Sequence, residues 1–411
     1  MKKILLFTVL FLTFLALNAQ EIDLLIKGGH VIDPKNNIDQ IMDVAITDGK
    51  ILQVAKDIPA ANAKKVVDAK GLYVTPGLID IHTHNFWGTE EDRYLRNSFT
   101  ALPPDGFTLR AGVTTVADAG SPGWRNFLTY KNQTIDKSKT RVLVFLNIVG
   151  DGMSGGPREQ DLADMDPKLT AMVAKQYPEH IVGIKLAHYV GHEWTPAERA
   201  VEAGKLANIP VMVDFGSAQP PLSIEKLYME VFRPGDIFTH CYGHVGGREA
   251  VVDDNGKLRP FVLEAQKKGI IFDVGHGGGS FTWEQAVPGV KQGFKPNSIS
   301  TDLHTGSMNG GMKDMINVMS KFLALGLSVQ EVIKLSTWNP AQIIHRPELG
   351  NLSPGAPADV AVINLQKGAF GYIDVRGLRY NGDSKLVCEL TVREGEIVYD
   401  LNGLASPMYK P

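Results

Sequence analysis

The sequence predicts an α/β protein, a (β/α)₈ TIM barrel with a small β-sandwich domain that both chain termini build. Eight apolar or β-branched runs recur through the middle of the chain, and most gaps between them have room for a helix. The segments on either side read instead as short strands separated by Gly, Pro and Asp-Gly turns. A chain of 411 residues is long enough for one large barrel and an accessory domain.

The first 19 residues have the layout of a secretory signal peptide. Lys2 and Lys3 precede an apolar segment at 4–17, and Ala19 is a small residue at the expected cleavage position. A retained membrane anchor is the alternative, but the apolar run is short for a membrane span. We therefore expect cleavage after Ala19 and an exported protein, periplasmic or secreted, without a membrane span in the mature chain.

Residues 20–75 and 351–411 form the two predicted parts of the β-sandwich. Asp48-Gly49 marks a hairpin turn in the first part, and Glu394-Gly395 marks a turn in the second. Neither part is long enough for a full sandwich, so we expect the two to combine into one domain.

Residues 76–350 carry the predicted barrel. Several of its apolar runs are nearly continuous, as parallel strands buried on both faces should be. Thr195 and Ser328 are each followed three residues later by a glutamate, the capping-box pattern of a helix start. The expected strands are residues 77–84, 114–120, 142–150, 181–188, 210–216, 236–243, 269–277 and 297–302.

Active sites of such barrels lie at the carboxyl ends of the strands, so the polar residues that end each run are candidates. His82 and His84 are two apart on a strand, so both imidazoles, with Asp80, point to one face and can grip a metal ion. Lys185 lies inside an apolar strand, where a lysine is costly unless its charge is paired, neutralised or modified. A single polar residue at a strand end is explained as a cap. Several such residues at the strand ends of one barrel favour a metal site instead. The other strand ends carry Asp214, His240, Asp273, His276 and Asp302.

The sequence resembles the amidohydrolase superfamily of metal-dependent hydrolases, in its deacetylase and dihydroorotase-like branch. The stretch VTPGLIDIHTH (74–84) is similar to the first-strand motif of that superfamily, and STDLHTG (300–306) to its eighth-strand motif. The stretches DVAITDGKI (43–51) and LSPGAPADVAV (352–362) resemble the β-domain pieces that bracket the barrel. The resemblance covers nearly the whole mature chain.

The resemblance implies a set of metal ligands. His82 and His84 match the first-strand ligands, and Lys185 matches a lysine that CO₂ converts to a metal-bridging carbamate. His240 and Asp302 match the ligands of the sixth and eighth strands. The implied cofactors are one or two divalent ions, with Zn²⁺ expected and Mn²⁺ as the alternative, together with the carbamate.

Asp214 departs from the superfamily pattern, because most two-metal relatives end the fifth strand in histidine. An aspartate also ligates zinc, so we expect Asp214 to be a ligand. The alternative is that Asp214 orients His188 or His240.

The implied reaction is hydrolysis of a non-peptide C–N bond in a linear or cyclic amide, as in a deacetylase. The metal ions would acidify a water and polarise the carbonyl. Asp302 would act as general base and then as general acid. His188, His276 and His304 are further candidates for substrate binding. The glycine-rich stretch 275–281 would bring backbone N–H groups close to an anionic substrate group.

Two alternatives stay open. One is a lactonase or phosphoester hydrolase on the same scaffold. The other is a barrel without metals that works by binding, which only Asp214 favours. The formal net charge of −3, without a basic stripe, argues against nucleic acid or an anionic membrane as the main partner. We expect a small-molecule amide as the partner, and the sequence leaves the oligomeric state open, including a homo-oligomer.

Overall fold

The computed structural model describes residues 21–214 and 218–410, so the expected signal peptide lies outside the described residues. The described strands are, in chain order, β1 (Ile22–Asp33), β2 (Ile38–Thr47), β3 (Lys50–Ala55), β4 (Ala63–Asp68), β5 (Tyr73–Pro76), β6 (Leu78–Thr83), β7 (Val113–Gly123), β8 (Arg141–Asn147), β9 (Ile181–Leu186), β10 (Val211–Val213), β11 (Ile237–Phe238), β12 (Ile271–Phe272), β13 (Val360–Ile373), β14 (Arg379–Arg393) and β15 (Glu396–Asp400). The α-helices are α1 (Phe127–Gln133), α2 (Pro167–Gln176), α3 (Thr195–Ala207), α4 (Ile224–Lys226), α5 (Pro260–Lys268), α6 (Trp283–Lys291), α7 (Thr305–Met308), α8 (Met315–Ala324), α9 (Val329–Ser336) and α10 (Trp338–Ile343). Within these ranges we find no helix with the length and apolar character needed to cross a membrane.

Seven parallel strands, β6 to β12, form a curled central sheet in which each strand pairs with its neighbours in chain order. Both faces are apolar because one set of side chains packs inside the sheet and the other packs against the helices. The inner set includes Ile81, Ala119 and Phe145, and residues from α10 close its lower end. Between β6 and β7 the chain forms a loop with a single 3₁₀ turn, so the first unit has no α-helix.

The eighth predicted strand, residues 297–302, is not a regular strand. Parallel bridges join Ser298 to Asp273 after β12, and Leu303 to Thr83 of β6, so the segment contacts both edges of the seven-stranded sheet. Ser298 also donates its hydroxyl to the Asp273 carboxylate at 2.6 Å. The segment still exchanges backbone hydrogen bonds with both edges, since Val274 donates to the carbonyl of Ser298 at 3.2 Å and Asp302 donates to that of His82 at 2.6 Å. The architecture is TIM-barrel-like.

The terminal segments form one continuous sheet of eight strands, where the sequence predicted a sandwich of two sheets. Its order is β15-β14-β13-β5-β1-β2-β3, with β4 also paired to β1. Strand β1 pairs with β4 along residues 22–27 and with β5 at residues 30–31. Between them lies a bulge at Gly28, whose φ of 73° favours glycine. The bend lets a single sheet enclose a core from both termini, with Val44 and Val360 among its members.

The two predicted capping boxes have different outcomes. At the start of α9, Ser328 accepts a hydrogen bond from the Glu331 backbone, and Glu331 accepts one from the Ser328 backbone, so this box is confirmed. The box at Thr195 is wrong. Helix α3 already includes Thr195, and the Thr195 hydroxyl donates to Glu193 at 2.7 Å instead of capping the helix.

We predict that Ser328→Ala lowers the free energy of unfolding by about 1 kcal/mol, because an N-terminal capping residue is lost. Thr195→Ala is the matched control and should change it by less than about 0.5 kcal/mol, because the Thr195 hydroxyl bonds the exposed Glu193 and does not cap the helix. Urea unfolding followed by circular dichroism measures both values. Equal losses in the two variants would contradict the assignment of the caps.

Candidate metal centre

The first group of predicted ligands meets at the carboxyl ends of the parallel strands. His82, His84 and Asp302 each offer one ligand atom within 4.8 Å of the other two. The Nε2 atom of His84 lies 2.9 Å from Asp302 Oδ1, and that of His82 lies 3.6 Å from the same oxygen. All three residues are buried. Two imidazoles and a carboxylate in this arrangement are typical donors for a divalent ion.

Lys185 lies beside this group inside the sheet. It is 1% exposed, and its Nζ atom lies 3.4 Å from His82 Nε2 and 3.6 Å from Met212 Sδ. Burial lowers the pKa of the Lys185 amine. Nearby carboxylates such as Asp214 and Asp302 offset burial only in part, so the position favours a neutral or modified amine over an ammonium ion.

Asp214, His240 and His188 form a second group. The Nε2 atoms of His240 and His188 lie 3.0 and 3.7 Å from Asp214 Oδ2. The buried Arg248 brings its Nη1 atom within 3.6 Å of the other carboxylate oxygen, Oδ1. The ring centroids of His82 and His240 are 4.9 Å apart, so the two groups are adjacent.

Hydrogen bonds outside the cavity fix the protonated nitrogen of His82. Its Nδ1 atom lies 2.8 Å from Thr239 Oγ1, and that hydroxyl donates to Asp273 at 2.8 Å. Because Thr239 has a single hydroxyl proton, Nδ1 of His82 must be the donor in its own bond. The Nε2 atom, which faces Asp302 and Lys185, therefore carries a lone pair, as a metal ligand requires.

His84 and His240 follow the same rule. The Nδ1 atom of His84 lies 3.2 Å from the hydroxyl of Ser121, whose side chain hydrogen-bonds to Asp118. The Nδ1 atom of His240 lies 2.5 Å from the carbonyl oxygen of Gly275, which can only accept. Both Nε2 atoms are thus left with lone pairs, and each faces a carboxylate.

Charges around the carboxylates keep them ionised. Burial opposes ionisation, but the neighbouring imidazoles of His304 and His84 lower the pKa of Asp302 to about 2. Burial is likewise outweighed at Asp214, where His240 holds the pKa well below its usual range. Burial holds the pKa of His82 well below its usual value, so its imidazole is neutral.

Three residues of the site have left-handed backbone, with φ of 56° at His188, 57° at His240 and 53° at Asp302. Such backbone costs about 1–3 kcal/mol for a residue other than glycine and persists only where the surrounding structure holds it. Each residue lies at the end of a strand run, and all three border the same cavity. The strained backbone therefore turns these side chains toward a shared space.

The cavity has a volume of about 530 Å³. His304 differs from the other histidines on its wall. Its Nδ1 atom accepts a hydrogen bond from the Gly306 backbone at 3.1 Å, so its Nε2 atom carries the proton and lies 3.9 Å from Asp302 Oδ2. His304 is placed to donate to a bound molecule. The residues that line the cavity include Tyr94, His188, Asp214, His240, Asp302 and His304.

The glycine-rich stretch 275–281 is close to the site residues themselves. A Cβ atom on Gly277 would lie 2.4 Å from Asp302 Oδ2, and one on Gly275 would lie 2.4 Å from Thr239 Oγ1. These glycines let the loop approach Asp302 and Thr239. Gly278 borders the cavity.

His276 lies outside the site. Its Nε2 atom accepts from Lys321 at 2.6 Å, and its ring stacks on Phe281 with centroids 4.6 Å apart. Lys321 also donates to the carbonyl of Ile373 in β13, and burial lowers the pKa of Lys321 to about 7. The structure thus places His276 in a buried contact between the central sheet and the terminal sheet, not in the cavity.

Sequence reasoning missed the residues that orient the histidines. Asp118 and Thr239 are polar residues inside predicted strands, and this pattern could have indicated that they bind other buried polar groups. Glu159, whose Oε2 atom lies 3.0 Å from His188 Nδ1, follows no pattern in the sequence. Arg248 likewise lies in a loop that no motif marks.

Comparison with known proteins finds a matching family and a relative of similar sequence. The amidohydrolase family model matches residues 282–398. A deacetylase of Brucella anthropi is 33% identical over 325 residues, which is 77% of this chain and 78% of the relative.

Two solved structures are similar over nearly the full chain. A structure described as an adenine deaminase has a TM-score of 0.82 and 30% identity, covering 93% of this chain and 100% of its own. A structure described as a dihydroorotase has a TM-score of 0.79 and 27% identity, covering 92% and 99%.

We predict that Thr239→Val weakens divalent metal binding by about tenfold to 100-fold, because His82 loses the partner that fixes its tautomer. Competition with a chromogenic chelator measures the affinity. Thr114→Val is the control, since within the described ranges the buried hydroxyl of Thr114 has no hydrogen bond. An unchanged affinity in Thr239→Val would contradict the orienting role of Thr239.

Proposed function

This chain belongs to the amidohydrolase family and is a metal-dependent hydrolase of non-peptide C–N bonds, and we propose that its substrate is a linear or cyclic amide cleaved as by a deacetylase. Relatives named as a deacetylase, a dihydroorotase and an adenine deaminase support this reaction class. They do not favour a lactonase, a phosphoester hydrolase or a metal-free binding barrel.

One observation carries the proposal: buried imidazoles direct unprotonated Nε2 atoms toward ionised carboxylates. Lone pairs and anions that face each other in a buried space repel unless a cation lies between them. The donor set of His82, His84 and Asp302 therefore fits a divalent ion. We propose Zn²⁺ as this ion and Mn²⁺ as the alternative. Asp214, His240 and Lys185 would hold a second ion beside it.

Bound divalent ions supply an acidified water and a polarised substrate carbonyl. Asp302, ionised and facing the cavity, takes a proton from the attacking water and gives it to the leaving nitrogen. Amide and water thus become a carboxylic acid and an amine. His304 Nε2–H is placed to hydrogen-bond the substrate, and Tyr94 covers one side of the cavity.

We propose that Lys185 reacts with CO₂ through its neutral amine. The nitrogen forms a bond to the carbon of CO₂ and releases one proton to water, which leaves a carbamate anion in place of the neutral amine. Burial and the lowered pKa of the amine favour this reaction, because an unprotonated amine is the nucleophile. The anion would then lie between the two groups of imidazoles.

We also propose a closed barrel and an exported chain. The bridges from Ser298 and Leu303 to the sheet edges support a closed (β/α)₈ barrel. The lysines and apolar run at the start of the sequence support export to the periplasm or the medium after cleavage behind Ala19.

We predict that protein purified after expression with Zn²⁺ or Mn²⁺ holds at least about one metal ion per chain. It should hydrolyse members of a panel of N-acetyl amino acids and cyclic imides, and not lactones or phosphotriesters. Asp302→Asn should lower kcat by about 10²-fold to 10⁴-fold on the same substrates. Less than one metal ion, or hydrolysis confined to the esters, would contradict the proposed function.

We predict that Lys185→Ala loses metal and activity and that acetate or propionate restores part of both. A small carboxylate can occupy the space of the carbamate and supply its charge, whereas propylamine, the matched control, cannot. Metal analysis and hydrolysis rates with each additive measure the recovery. Rescue by the amine alone would show that Lys185 acts as an amine.

A further inference from the structure

We propose that His188 is a metal ligand of the second ion, held in place by Glu159, and not a residue that binds substrate. This inference rests on the proposed function, because it assigns one more donor to the same metal centre. It goes further in giving that centre a nitrogen ligand from the loop after β9, beside Asp214.

The first step is the tautomer of His188. Glu159 is 2% exposed, and its Oε2 atom lies 3.0 Å from His188 Nδ1. Its other oxygen accepts a hydrogen bond from the Gly155 backbone at 2.8 Å, so the carboxylate is fixed. A carboxylate accepts, so Nδ1 donates and Nε2 is the free nitrogen. A carboxylate on the outer ring nitrogen is the usual partner of a metal-binding histidine.

The second step is what the free nitrogen faces. The Nε2 atoms of His188 and His240 both lie within 4 Å of Asp214 Oδ2, at 3.7 and 3.0 Å. With Nδ1 as the donor in both rings, two lone pairs and an anionic oxygen converge. Only a cation resolves this, either a proton on one of the rings or a metal ion bound by all three groups.

Arg248 favours the metal solution. Its Nη1 atom approaches Asp214 Oδ1, at 3.6 Å, which is the oxygen remote from the imidazole contacts. Its Nη2 atom donates to the His240 carbonyl at 2.8 Å, so the guanidinium is anchored to the same strand end. Oδ1 is therefore turned to Arg248, and Oδ2 remains free to bind an ion together with the two histidines.

The backbone of His188 places its side chain at the same cavity as the other ligands. His188 has a φ of 56°, as do His240 and Asp302 within a few degrees, although none of the three is glycine. Its side chain borders the cavity with theirs. His304 borders the same cavity with ordinary extended backbone, and its Nε2 atom is a donor. The two histidines thus have opposite chemistry toward the cavity, which provides a matched pair for testing.

The test compares metal binding in His188→Asn, Glu159→Gln and His304→Asn with that in the unaltered protein. Asparagine is chosen at 188 because it tolerates left-handed backbone. Zinc per chain is measured by mass spectrometry, and the visible absorption of the Co²⁺-loaded protein reports the ligands directly. Neither readout requires activity, and thermal unfolding of each variant verifies the fold.

We expect about two ions per chain in the unaltered protein and in His304→Asn, and about one in His188→Asn. Glu159→Gln should weaken the second ion by about tenfold to 100-fold. The Co²⁺ spectrum should change in His188→Asn and stay unaltered in His304→Asn.

Two ions and an unaltered spectrum in His188→Asn, with a raised KM, would assign His188 to the substrate and overturn this inference alone. A single ion in the unaltered protein would do the same, because it removes the second site. A protein that binds no metal and hydrolyses no amide would overturn the proposed function as well.

Discussion

The site depends on one constraint: the outward hydrogen bonds of its histidines decide which ring nitrogen faces the cavity. Thr239, Ser121 and the Gly275 carbonyl each bind an Nδ1 atom, so the Nε2 atoms of His82, His84 and His240 meet buried carboxylates without a proton. Lone pairs and anions that face each other in a buried space repel, so this arrangement needs a cation. A divalent ion completes it, and the chemistry of a C–N hydrolase follows from that ion and from the ionised Asp302.

The fold serves this constraint by bringing distant segments together at one end of a curled sheet. His82 and Thr239 are 157 residues apart in the chain and hydrogen-bond because β6 and the end of β11 meet across the interior. The eighth segment joins both edges of the sheet through backbone hydrogen bonds, and its hydroxyls also bind Asp273 and Asp80. Left-handed backbone at His188, His240 and Asp302 costs conformational free energy, which the packing of the surrounding sheet offsets.

The sequence alone indicated the family and the reaction class, because spaced polar residues at strand ends are local signals. It could not show which strand-end histidines share a cavity. His240 and His276 look alike in the sequence, yet His276 lies in a contact with Lys321 and Phe281. Partners such as Glu159 were invisible because their role arises only from contacts far along the chain. The capping box predicted at Thr195 was wrong because helix α3 already includes this threonine, which the pattern placed before the helix.

The most direct measurement is anomalous X-ray diffraction from crystals of the zinc-loaded protein, recorded on both sides of the zinc absorption edge. We expect a strong peak among His82, His84 and Asp302, and a second peak near Asp214 and His240, with continuous density on Lys185 between them. Crystals of active protein without an anomalous peak at either position would contradict the assignment of these imidazoles and carboxylates as a metal centre.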